Sequence, residues 1–118
     1  MDVVIYHNPR CSKSRATLAL LREHGIEPRI VEYLKQPPSR GELEAILGKL
    51  GFDDPRRLMR TKEKVYKELG LDAPDADRDR LIEAMLANPI LIERPIVVAG
   101  RKAAIGRPPE NVLEILPS

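Results

Sequence analysis

VVIYHNPRCSKS, residues 3–14, begins as an apolar run at Val3–Tyr6, breaks at Asn8-Pro9 and continues into residues that favour a helix. Consecutive β-branched residues suit a buried strand, and an Asn-Pro pair ends one. The following SKSRATLALLREHG, residues 12–25, predicts a helix that stops at Gly25, a natural residue just past a helix end. Ala16 with Leu20, and Leu18 with Leu21, are its expected buried stripe. EPRIVEYL, residues 27–34, alternates with a period near two, so residues 29–34 read as a second strand. A strand, helix and strand this closely spaced favour a βαβ unit with parallel strands.

The middle of the chain changes character. PPSRGELEAILGKLG places Ser39 three residues before Glu42, the spacing of a capping box, with Leu43, Ile46, Leu47 and Leu50 at helical intervals. Residues 55–69 read as short helical turns ending at Gly70. DADRDRLIEAMLANP predicts an amphipathic helix through Leu81, Ile82, Met85 and Leu86, stopped at Asn88-Pro89. Strand character returns in RPIVVAGRKAAIG, a hairpin with Gly100 at its turn, and RPPENVLEIL should close the chain as a short helix. The order β-α-β, helical block, β-β-α is that of an α/β thioredoxin-like domain with a mixed sheet and an all-helical insertion. Residues 1–118 therefore read as one domain, with the thioredoxin-like core at 1–38 and 89–118 and the helical insert at 39–88.

Composition narrows the function. Lys and Arg number 20 against 18 Asp and Glu, and the two signs alternate along the chain, so no basic stripe for nucleic acid stands out. Tyr6, Tyr33, Phe52 and Tyr66 are too few for a base-stacking platform. The four-residue apolar run near the start is far short of a membrane span or signal peptide. One unpaired cysteine suits a reducing cytoplasm, and one Cys with two His argues against a structural zinc site, so no metal is expected. The chain is expected to act as a monomer, away from membranes.

Cys11 falls where a strand ends and a helix starts, a position whose unpaired N–H groups and dipole favour an anion. Such a thiol can ionise well below its usual value of about 8.5. Arg10, Lys13 and Arg15 would act in the same direction if their side chains turn inward. His7 could assist as an imidazolium or a hydrogen-bond donor, or be a satisfied surface residue. A free cysteine is also a common buried residue, but the helix start, the cations and the absence of apolar neighbours favour a reactive thiolate. The motif is CSKS: Ser14 cannot close a disulfide with Cys11 and the chain has no other cysteine. Any covalent intermediate must then be resolved by an outside thiol, with glutathione as co-substrate and a glutaredoxin-type partner the obvious donors; no bound cofactor is implied.

Arginine supplies 13 of the 20 cations, and paired N–H donors suit it to tetrahedral oxyanions. Most, such as Arg22, Arg29, Arg40 and Arg78, are expected on solvated faces. Arg94 and Arg107 each precede a proline, which biases them to extended backbone. In a thioredoxin-like domain the proline before the third strand is commonly cis and packs beside the catalytic thiol; Pro95 is the candidate, and it would bring Arg94 towards Cys11.

YHNPRCSKSR, PPSRGEL, LMRTKEKVYKELGL, LIEAMLANPILIERPIVV and IGRPPENVLEILP together resemble the glutaredoxin-coupled arsenate reductase family across essentially the whole chain. The resemblance implies a thioredoxin-like fold with a helical insert and reduction of arsenate to arsenite, resolved by glutathione and glutaredoxin. It implies Cys11 as nucleophile and His7 as the residue assisting its ionisation. Arg60, Arg94 and Arg107 would bind the oxyanion, with Ser14 and Arg15 lining the anion pocket. Two other functions fit the fold: a glutathione-dependent thiol oxidoreductase with a different substrate, and a non-enzymatic regulator that binds RNA polymerase. The regulator would use a C-x-x-C switch that CSKS cannot form.

Overall fold

A computed structural model describes residues 2–116. The chain divides into two compact units, Met1–Gln36 with Arg94–Ser118, and Pro37–Glu93.

In the first unit β1 (Val3–His7), α1 (Ser12–Glu23) and β2 (Arg29–Glu32) are followed by β3 (Ile96–Ala99) and β4 (Lys102–Ile105). The sheet runs β2-β1-β3-β4; β1 and β2 are parallel, while β3 is antiparallel to both β1 and β4. This is the mixed α/β thioredoxin-like arrangement anticipated from the order of elements. Val3 lies opposite Ala99 and Ile5 opposite Val97, so these four share one face. They pack with Leu21 of α1 and Val112 of the C-terminal segment into a core. The β3–β4 hairpin turns on Gly100, whose φ of 63° is open to glycine at little cost.

Three local expectations change. β2 ends at Glu32 rather than at residue 34, because the N–H groups of Lys35 and Gln36 both donate to Glu32 O and turn the chain away. α1 buries Ser14, Thr17 and Leu21, with Leu18 and Leu20 at the edge of the core, and leaves Ala16 exposed. Ser14 is buried with its hydroxyl accepting the Asn8 N–H, and Thr17 where Gly106 and Pro95 come close, so the apolar pattern alone misplaced that end of the stripe. The last segment is a run of 3-10 turns, Pro109–Ile115, which seats Val112 in the core.

The second unit holds only helical elements: α2 (Arg40–Leu50), a 3-10 turn at Pro55–Leu58, α3 (Lys64–Glu68), α4 (Arg78–Ala87) and a 3-10 turn at Pro89–Leu91. The capping box at the start of α2 is complete: Ser39 Oγ accepts from Glu42 N–H at 3.1 Å, and Ser39 N–H donates to Glu42 Oε1 at 3.0 Å. Arg40 and Arg78 lie on solvated faces, as expected, and from there tie α2 to α4 through Asp79, Glu83 and Glu44. The unit reaches Glu93, past the anticipated end of the insert at 88, because residues 58–60 and 91–93 pair as short extended segments. Met59 bridges Ile92, Arg60 N–H donates to Leu91 O at 2.7 Å, and Glu93 N–H to Leu58 O at 2.7 Å.

Candidate active site

The site grows from the turn between β1 and α1. Asn8 O accepts the Cys11 N–H at 3.0 Å, while Asn8 Oδ1 accepts from Arg10 N–H at 3.0 Å, so Asn8 closes the loop from both its backbone and its side chain. Ser14 fastens the other end, its fully buried hydroxyl accepting the Asn8 N–H at 3.2 Å. Cys11 is left as the residue that begins α1, with extended backbone (φ −91°, ψ 124°), half-buried and in no disulfide.

The sulfur lies under the first turn of the helix. Its side chain makes no capping hydrogen bond of ordinary geometry, yet the N–H groups of Ser14 and Lys13 face it closely enough to favour its charged form. Burial pushes the thiol up; those two amides, followed by the charges of Arg94 and Arg107, outweigh burial and hold it below its ordinary value. Arg107 Nη2 stands 3.7 Å from Sγ, and Arg107 Nε donates to Arg94 O at 2.8 Å, so one guanidinium links the thiol to the backbone of the other arginine. The Arg94–Pro95 peptide is cis, as is Arg107–Pro108, which the sequence did not single out.

The nearer cations in sequence take no part in this. Arg10 and Lys13 are exposed, and Arg15 turns its guanidinium to Pro9 O at 2.9 Å. The charges acting on Cys11 come instead from residues more than eighty positions away. Ser14 contributes its backbone N–H, while its hydroxyl is committed to Asn8.

His7 is 6% exposed at the end of β1 and makes no hydrogen bond to Cys11; its Nδ1 is buried with no hydrogen-bond partner among the described residues. It lines two surface pockets, one with Arg15 and Arg22 of α1 and one with Glu32 and Lys35, and Cys11 lines neither. Burial lowers its pKa; Glu32 works against this, and Arg22 and Arg15 with it. His7 is therefore a neutral imidazole at neutral pH. Arg60 belongs to the helical unit, where its guanidinium pairs with Glu63 at 3.0 Å.

A half-buried thiol beneath two amides and two guanidiniums is suited to nucleophilic attack on a compact oxyanion. The chain matches the ArsC family over residues 6–115. It is 57% identical over 116 residues to the arsenate reductase of Haemophilus influenzae, covering 98% of this chain and all of that one. It is 53% identical over 115 residues to that of Neisseria meningitidis serogroup A, covering 98% of each. The solved structure of an arsenate reductase from Vibrio cholerae superposes with a TM-score of 0.96 at 54% identity, covering 98% of both chains.

Proposed function

Because the chain belongs to the ArsC family, we propose that it reduces arsenate to arsenite with Cys11 as nucleophile and an external thiol as reductant. The observation that carries the reading is the setting of Cys11: the only cysteine in the chain, held as an ionisable thiol 3.7 Å from the Arg107 guanidinium. Arg94 and Arg107 hold the oxyanion beside it.

In the first step the Cys11 thiolate forms an S–As bond while an As–O bond breaks. The oxygen takes up protons and leaves as water, and arsenic stays at +5. The guanidiniums and the α1 amides stabilise charge on the arsenate oxygens, where loss of one donor typically costs about 10²–10³-fold in rate. In the second step a glutathione thiolate attacks the Cys11 sulfur. An S–S bond forms, the S–As bond breaks with its electron pair left on arsenic, and arsenic becomes +3 and departs as arsenite. In the third step a glutaredoxin thiol attacks the glutathione sulfur and releases the Cys11 thiolate. Two thiols lose two electrons and two protons in all, matching the two electrons gained by arsenic. Since Ser14 holds the position from which a second cysteine would act, the second step falls to an outside thiol.

A coupled assay with arsenate, glutathione, glutaredoxin, glutathione reductase and NADPH tests this. Arsenate-dependent NADPH oxidation that needs both glutathione and glutaredoxin is expected, and Cys11→Ser should abolish it. A reactive Cys11 with no arsenate-dependent turnover would favour a thiol oxidoreductase of the same fold acting on another substrate.

A further inference from the structure

Gly106 occupies a point where no side chain fits. A Cβ there would collide with Thr17 Oγ1 and come within 2.8 Å of Pro95 Cγ and 3.1 Å of Thr17 Cγ2. Its φ is not positive, so the demand is for space and not for a left-handed backbone. Neither neighbour can yield easily. Thr17 is fully buried and its hydroxyl donates to Lys13 O at 2.8 Å, while Pro95 is a buried ring whose carbonyl accepts the Gly106 N–H at 3.0 Å. In a close-packed interior a clash of this size moves backbone.

That backbone carries the site. Gly106 directly precedes Arg107, Pro95 directly follows Arg94, and Thr17 is anchored to Lys13, whose N–H faces the Cys11 sulfur. One contact point joins the three segments that bring charge and amides to the thiol. We propose that Gly106 is a positioning residue: its missing side chain lets the Arg107 segment close on Thr17 and Pro95, and that closure sets the Arg107 guanidinium against Cys11. The role in arsenate turnover rests on the function proposed above; the role in thiol ionisation does not.

Gly106→Ala tests it, with Thr17→Ala and the Gly106→Ala/Thr17→Ala double variant beside it. The Cys11 ionisation midpoint is read from thiolate absorbance against pH, and the arsenate KM from the coupled assay. Gly106→Ala should move the midpoint up towards that of an ordinary thiol and raise KM several-fold. The double variant, which removes both clashing Thr17 atoms and leaves only the 2.8 Å approach to Pro95 Cγ, should recover part of each change relative to Thr17→Ala. An unshifted midpoint in folded Gly106→Ala overturns the proposal, as does a double variant no better than the single one. If Gly106→Ala does not fold, the double variant must, and its failure to fold is likewise contrary. A wild type without arsenate turnover would remove the substrate but leave the ionisation result to stand or fall alone.

Discussion

At Cys11 two effects of opposite sign meet: burial disfavours the thiolate, while the Ser14 and Lys13 amides and the Arg94 and Arg107 charges favour it and prevail. Arg107→Ala should raise the ionisation midpoint, slow alkylation of Cys11 at neutral pH and lower kcat/KM for arsenate by about 10²–10³-fold. Unchanged alkylation in that variant would mean that the helix amides alone suffice. His7 makes a separate prediction. Its folded pKa lies below the ordinary 6.5, so the unfolded chain binds a proton more readily than the folded one. Stability should therefore be fully present above 6.5 and fall as pH drops from 6.5 through the folded value. Urea midpoints should decline over that window in the wild type and decline less in His7→Gln; equal slopes would refute the buried neutral imidazole. Cys11 itself was legible from its place between strand and helix. Its cations were not, because Arg10, Lys13 and Arg15 are close in sequence yet do not act on the sulfur. Only the family resemblance pointed to Arg60; its local sequence carries no signal that sets it apart from the other arginines of the insert.

Among the elements, α2 was the most readable, because a capping box is a local pattern and both of its hydrogen bonds form. Ser39→Ala should cost about 1 kcal/mol in urea unfolding, and a change indistinguishable from zero would show that the cap contributes nothing. The turn at Pro55–Leu58 depends on contacts distant in sequence. Arg56 Nε donates to Leu71 O at 3.1 Å and its Nη2 to Ala73 O at 2.8 Å, clipping the loop before α4 to the segment that leads into Arg60. Arg56→Met should lose about 2 kcal/mol, the typical worth of hydrogen bonds from a charged donor that is partly buried. α1 shows why pattern reading fails where it does. Apolar spacing marks a stripe, but Thr17 is buried because Gly106 and Pro95 come close to it, and nothing within residues 12–25 announces that approach.

For the whole molecule, the alternation of strand and helix signals sufficed for the mixed sheet and the inserted helices. Pairings such as Met59 with Ile92, which extend the helical unit to Glu93, lie in short segments without periodicity and became visible only in three dimensions. The proposed chemistry turns on the cysteine count: with one thiol in the sequence, it assigns the oxidation that accompanies reduction of arsenic to an external sulfur. The most direct measurement is the intact mass of the protein incubated with glutathione, with and without arsenate, in the absence of glutaredoxin. The mass of one glutathione should appear on Cys11 only when arsenate is present, and addition of glutaredoxin should remove it. A protein that stays unmodified in arsenate, or one that gains glutathione equally without it, would contradict the account.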